Sequence, residues 1–344
     1  MSVEEFIKSR IDRSYDRPLD ERQQKLVKDK TTADAVYSLL TDTKFRRWSL
    51  SPESTETIRN AIKVSVEANQ PLRLAFPFGG YKLWRLPIEP QVDWAEFFFL
   101  AYYLDWLTPV LNYYKPGVKF IMASDDVIIS RMDNVPDANV TGYVESVKIL
   151  IQEFAKFFPE NLSVQVERVG DAYTPEELDA ELEQRLTTAR QEYPNLPPEK
   201  KDQYISSARL NWNPNGTIDY SHLSEKEIEV RLTDSVILDN AYRALSKRQA
   251  MYRNAQTVLV FCKSIPKAIC LGVTKRSIVK FWTGIGVLMR SPEGELKEYI
   301  LSPFQYSDSL EKIKNNVINL NLFPENFKNL QSIRVFEEDK NFGA

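Results

Sequence analysis

Histidine and cysteine are almost missing from this 344-residue chain, which has one histidine, His222, and two cysteines, Cys262 and Cys270. A single histidine excludes a histidine-rich metal centre, and no Ser/His/Asp arrangement for nucleophilic catalysis is in view. His222 reads as a surface or capping residue. Two cysteines cannot build a disulfide framework, and their spacing fits no zinc pattern. Both lie in apolar stretches and read as buried, unreactive thiols. Sparse cysteine fits a reducing compartment, and the charged start MSVEEFIKSRIDRSY has no apolar signal core, so the expected location is cytoplasmic. Glycine is also scarce, with 11 in all, and neither G-x-G-x-x-G nor G-x-x-x-x-G-K-[ST] occurs, which disfavours a dinucleotide or P-loop site. The longest apolar run, Trp94 to Leu111, is interrupted by Glu96 and Asp105 and is too short to span a membrane. A net charge of -3 argues against general nucleic-acid affinity. These residues call for no cofactor and no resident metal. Small-molecule substrates are the expected partners, with no nucleic acid and no membrane, and the oligomeric state is left open.

What is present suits a sizeable core: 43% hydrophobic, 27% charged and 12% aromatic residues. Residues 1 to 70 show apolar residues at helical spacing in four stretches, and Ser51-Pro52-Glu53-Ser54 starts the longest of them. This part is expected to form a helical extension packed on the core, with 71–344 a single α/β catalytic domain. Leu72 to Phe76 reads as a strand broken at Pro77, and Phe78-Gly79-Gly80-Tyr81-Lys82 as a loop that lets backbone approach a ligand. Asp93 is a good N-cap for an aromatic helix through Leu111, whose Phe and Tyr stripe reads as core. After the turn Tyr114-Lys115-Pro116-Gly117, the run Val118 to Ala123 reads as a buried parallel strand ending at Ser124-Asp125-Asp126. A helix from Pro136-Asp137 through Phe158 and a strand from Leu162 to Val169 complete a strand–helix alternation that implies a parallel sheet covered by helices.

Asp171 to Lys200 carries eight acids against three bases and reads as a surface helix with a proline-containing loop. Asn211 to Ser221 reads as a turn-rich connection suited to a mobile covering loop, and Leu223 to Tyr252 as helical. From Asn240 to Pro292 acids disappear altogether. Ten bases stand there: Arg243, Lys247, Arg248, Arg253, Lys263, Lys267, Lys275, Arg276, Lys280 and Arg290. In a chain of negative net charge this asymmetry predicts a local positive potential. Two strands, Ala268 to Val273 and Gly284 to Met289, are expected to flank Thr274-Lys275-Arg276-Ser277. The bases on the helix read as a solvated face, whereas the turn suits anion binding. A strand at Tyr299, a polar helix from Ser307 and a short strand near Ile333 are expected to follow.

Two groupings carry chemistry. Lys82 and Arg85 on the loop, with Asp125 and Asp126 at a strand end, sit where α/β folds gather ligands. Lys82 could bind an anion or act as an amine nucleophile. Asp125 could hold an amino group, act as a base, or share a metal with Asp126, as the clustered aspartates of nucleotide-sugar transferases do. The Thr274–Lys280 turn is the candidate phosphate cradle.

These features also line up in order with one family. Phe76-Pro77…Lys82, followed by Pro90-Gln91-Val92-Asp93-Trp94-Ala95-Glu96, resembles the "FP-x-K…PD-x-x-E" stretch of the isonitrile synthases of pyoverdine/dityrosine biosynthesis. Tyr114-Lys115-Pro116-Gly117-Val118…Ser124-Asp125-Asp126 is similar to its "Y-x-PG…SDG", and Val135-Pro136-Asp137…Val140…Tyr143 to the helix start that follows. Pro266-Lys267-Ala268-Ile269-Cys270-Leu271-Gly272-Val273-Thr274 is similar to "P-x-x-IRLSIH", with Cys270 and Thr274 where the family has Arg and His. Asp126 stands where it has glycine. The resemblance covers about residues 70 to 290.

It implies a Rossmann-like enzyme that converts the α-amino group of an aromatic amino acid, or a relative of one, into an isonitrile. The added carbon would come from ribulose 5-phosphate. On that basis Lys82 and Asp125 are the expected catalytic residues. Tyr81, Trp84, Arg85, Asp126, Lys275, Arg276 and Lys280 are the expected substrate contacts. A metal-dependent glycosyltransferase and a non-catalytic binding protein on the same fold are the alternatives.

Overall fold

The computed structural model describes residues 1–46, 48–79, 82, 91–132, 135–211, 221–261, 267–272, 281–282, 284–301 and 315–337. Four helices come first: α1 (Val3–Ile11), α2 (Glu21–Val27), α3 (Thr32–Leu40) and α4 (Pro52–Glu67). Each begins at a Ser, Thr or Asp whose side chain accepts a backbone N–H of the first turn, and α4 has its proline at the start, where a missing N–H costs nothing. Then follow β1 (Leu72–Phe78), α5 (Trp94–Tyr113), β2 (Val118–Ser124), α6 (Asp126–Met132), α7 (Asp137–Phe154) and β3 (Leu162–Arg168). The helices α8 (Pro175–Glu192), α9 (Pro198–Asn211), α10 (Glu225–Arg243) and α11 (Ser246–Tyr252) lead to β4 (Thr257–Phe261) and β5 (Ala268–Cys270). Last come β6 (Ile285–Arg290), β7 (Leu296–Leu301), β8 (Asn315–Asn319) and β9 (Ser332–Glu337).

The first five strands form an all-parallel sheet in the order β3-β2-β1-β4-β5, with helices on both faces: a Rossmann-like α/β fold. The chain winds outward from β1 to β3, then returns to the other side of β1 with β4. The switch point therefore lies between β1 and β4, and in open α/β sheets ligands gather at the carboxyl ends of the strands near such a point.

Alternation along the strands assigns each face its own core. Leu74, Phe76, Phe78, Phe120, Met122, Val258 and Val260 pack with α4, α5 and α7. Ala75, Ile121, Ala123, Leu259, Ala268 and Cys270 pack with α8, α10 and α11. Residues of α1, α3 and α4 belong to the first of these cores, so the N-terminal helices are built into the same apolar interior as the sheet.

The aromatic helix α5 is buried on nearly every side, from Trp94 to Leu111. A helix apolar all round needs cover all round. On one side it meets β1, with Phe76 and Phe99 ring centroids 4.9 Å apart. On another lies a second, four-stranded mixed sheet in the order β7-β6-β9-β8. Gly286 of β6 marks the closest approach: a Cβ there would stand 2.3 Å from the Ala95 nitrogen and from the Trp94 carbonyl carbon. Trp94 Nε1 donates to the Ser332 carbonyl at 2.7 Å and ties the same helix start to β9.

Several expectations change. The two strands expected to flank one turn belong to different sheets, β5 to the parallel one and β6 to the mixed one. Asp126 opens α6, a short helix not among the expected elements, whose β-branched Val127, Ile128 and Ile129 hide it from a propensity argument. Residues 212–220, with the core of the expected covering loop, and 302–314, with the expected polar helix, lie outside the described residues. No helix among the described residues is long and apolar enough to cross a membrane.

Candidate functional site

Lys82 follows β1 with a left-handed backbone, φ +52°, which is costly for a side chain of its kind, and its N–H bonds the Trp282 carbonyl. The lysine is almost wholly buried, 1% exposed. Its Nζ lies 2.7 Å from Asp93 Oδ1, and 2.7 and 2.8 Å from the two carboxylate oxygens of Glu96. These acids are buried as well. The start of α5 explains why they converge. Asp93 is the N-cap, accepting the Ala95 N–H at 2.7 Å, and Glu96 reaches back to the Asp93 N–H at 2.6 Å. This capping box sets two carboxylates side by side at one helix end. From α7, the Tyr143 hydroxyl donates to Glu96 Oε1 at 2.6 Å.

One ammonium thus faces two carboxylates with little water to share the charge. Burial pushes the Glu96 carboxyl up; Lys82 opposes this and Asp93 adds to it, leaving Glu96 at about 7. A carboxyl poised there, bonded to an ammonium and a phenol, can hold or release a proton near neutral pH. Lysine alone was the expected member of this group. Asp93 reads from sequence as a cap and Glu96 as a break in an apolar run, and these two and Tyr143 otherwise appear only as parts of the resembling motifs. The i, i+3 spacing of Asp93 and Glu96 was the available signal.

Asp125 lies at the carboxyl end of β2, where its N–H bonds the Phe78 carbonyl at 2.8 Å. Its side chain turns to the other helix layer. Oδ1 accepts from the hydroxyls of Tyr242, at 2.8 Å, and Tyr252, at 3.0 Å. Arg248 grips both oxygens, Nε to Oδ1 at 3.0 Å and Nη2 to Oδ2 at 3.2 Å. The guanidinium carbon lies 5.0 and 4.6 Å from the Tyr242 and Tyr252 ring centroids, within cation–π range. Burial works against the Arg248 charge, but Asp125 and the two tyrosine oxygens outweigh it, and its pKa lies above the ordinary arginine value. Burial first, then Asp125, raises the Tyr242 hydroxyl well above its usual range, so it stays a donor.

Asp126 points elsewhere. It accepts from Arg168 Nε at 2.9 Å and from the Gly170 N–H at 3.2 Å, joining α6 to the end of β3, while burial raises its carboxyl. The two neighbouring aspartates therefore do not converge on a shared point. Among the described residues there is no group of three or more metal-ligating side chains.

Five of the ten bases in the acid-free segment pair with acids that lie outside it in the sequence. Arg243 pairs with Asp239, Lys247 with Glu177, Arg248 with Asp125, Lys267 with Glu53 and Arg290 with Glu337. Arg248, expected on a solvated face, is 7% exposed. The expected contacts Tyr81, Trp84, Arg85, Lys275, Arg276 and Lys280, and Cys262, lie outside the described residues. Cys270 is buried in β5, and His222 is exposed.

No protein-family profile matches the sequence, and no curated protein matches it. Among solved structures, the fold is similar to that of the PvcA protein from Pseudomonas aeruginosa. The TM-score is 0.62 at 17% identity, over 89% of this chain and 99% of that one. A CDPS from Fluoribacter dumoffii matches with a TM-score of 0.30 at 12% identity, over 58% of this chain and 80% of that one, which is too low to bear on the fold. The chain shares its fold with PvcA.

Proposed function

We propose that this protein is a biosynthetic enzyme of isonitrile-synthase type, acting on the α-amino group of an aromatic amino acid or a close relative with a phosphorylated sugar as co-substrate. One observation carries the reading. Lys82, Asp93, Glu96 and Tyr143, which sit in separate parts of the motifs resembling that family, meet in a single buried cluster. Likeness of fold to PvcA over 89% of the chain supports it. The cluster suits chemistry in which protons leave an amine and the carbon joined to it, because Glu96 can take a proton near neutral pH and Lys82 can return one. The carboxyl edge of β1 and β2, next to Lys82 and Asp125, would hold the substrates, with the Thr274–Lys280 stretch serving the phosphate.

The test supplies L-tyrosine or L-tryptophan with uniformly carbon-13-labelled ribulose 5-phosphate. Mass spectrometry and infrared spectroscopy then follow the product. Labelled carbon bound to the amino-acid nitrogen, with an isonitrile stretch, is the expected outcome. Absence of product, together with thermal stabilisation by a nucleoside diphosphate and manganese but not by the pentose phosphate, would transfer the protein to the glycosyltransferases. The separate partners of Asp125 and Asp126 speak against that second reading.

A further inference from the structure

We infer that Arg248, Tyr242 and Tyr252 are positioning residues that fix Asp125 as a ready-made acceptor for a cationic donor group, the α-ammonium of the substrate. This inference rests on the amino-acid reading above. The bonding pattern at the carboxylate is lopsided. Oδ1 receives three donors, the two tyrosine hydroxyls and Arg248 Nε, on an oxygen with two lone pairs. Oδ2 receives Arg248 Nη2 alone among the described residues, at 3.2 Å. The side chain keeps 19% of its surface exposed while Arg248 keeps 9%. Asp125 thus keeps one under-used oxygen on a partly exposed side chain, and the three residues that orient it are buried.

The clamp is more than the sheet needs for a tether. Tyr252 already ties α11 to β2 through the Ala123 carbonyl at 3.2 Å. The fork from Arg248 sets the carboxylate plane, and cation–π contact with both tyrosine rings helps hold the guanidinium in place. A carboxylate so oriented serves to bind and align a charged donor. Proton transfer falls instead to the Lys82–Glu96 cluster, across the strand edge.

Calorimetric titration decides the matter, using L-tyrosine and its des-amino analogue 3-(4-hydroxyphenyl)propanoate. The wild-type protein should prefer L-tyrosine by about 10- to 100-fold, the range of a charge-assisted bond. Asp125→Asn should abolish that preference. Arg248→Lys, which keeps the charge but loses the fork, should reduce it, and this variant decides if Asp125→Asn does not fold. A wild-type protein that binds both compounds equally, or variants that keep the full preference, would overturn the role of Asp125 and leave the amino-acid reading standing. Failure of the wild type to bind L-tyrosine and L-tryptophan at all would overturn both.

Discussion

Lys82 and Asp125 take their partners from opposite faces of one sheet. The lysine pairs with Asp93 and Glu96 of the α5 layer, and the aspartate with Arg248, Tyr242 and Tyr252 of the α10–α11 layer. Their backbones are nonetheless close relatives. The Asp125 N–H bonds the Phe78 carbonyl at 2.8 Å, and Lys82 is four residue steps beyond Phe78, a reach of at most about 14 Å. A ligand that meets both must lie over the carboxyl edge of β1 and β2, touching each layer from above.

Lys82→Met should therefore damage the fold as well as any activity. It leaves two buried acids without their cation, a loss on the order of 3–5 kcal/mol in chemical denaturation. Adding Glu96→Gln to Lys82→Met should restore part of that loss, and the double-mutant cycle measures the coupling. Strict additivity of the two changes would refute the pairing.

Glu96 gives stability a definite pH dependence. Its folded value, about 7, lies above the unfolded value of 4.5, so protons favour the native state. The contribution is complete below about 4.5 and is lost as pH rises through about 7, with a slope of up to about 1.4 kcal/mol per pH unit. Urea unfolding across this window should show Glu96→Gln with a flatter profile than the wild type. Parallel profiles would exclude Glu96 as the titrating group.

Asp126→Ala should cost stability without changing ligand selectivity, because Arg168 and Gly170 use its carboxylate inside the fold. Breaking such a pair costs about 3–5 kcal/mol when fully buried and less here, where Arg168 is partly exposed. The same calorimetric titration provides the check: altered preference between L-tyrosine and its des-amino analogue would give Asp126 a binding role.

Gly286→Ala tests the junction of β6 with α5. The added methyl meets backbone atoms that cannot swing aside, so a loss of about 1–3 kcal/mol is expected in thermal or urea unfolding. An unchanged midpoint would mean that the second sheet shifts freely against the helix.

The parallel sheet was legible because its signals are local: apolar runs of strand length, the Asp93 cap, and the turn at Gly117, where φ is +79° and a side chain would strike the Asn161 carbonyl. The candidate site was legible in its parts but not in its pairings. Lys82 and Asp125 stand out in sequence, yet their partners lie 11 to 14 and 117 to 127 residues away. Arg248 was the hardest to read. Nothing in Ser246–Tyr252 distinguishes a buried arginine from a solvated one, and its counter-ion lies 123 residues upstream. Five bases of the acid-free stretch are hard to read for the same reason, since their acids, Asp239, Glu177, Asp125, Glu53 and Glu337, all lie outside it.

The β5 edge has a further consequence. Arg46 forms a backbone bridge to Leu271, the Gly272 N–H bonds the Phe45 carbonyl at 3.1 Å, and the Tyr102 hydroxyl reaches the Gly272 carbonyl. The N-terminal segment thereby occupies hydrogen-bonding groups that an outermost strand would otherwise offer to another chain. Shortening the protein before Phe45 would uncover a template for strand addition. A truncated form should then be lost to aggregation, even with every residue of the two charged clusters in place.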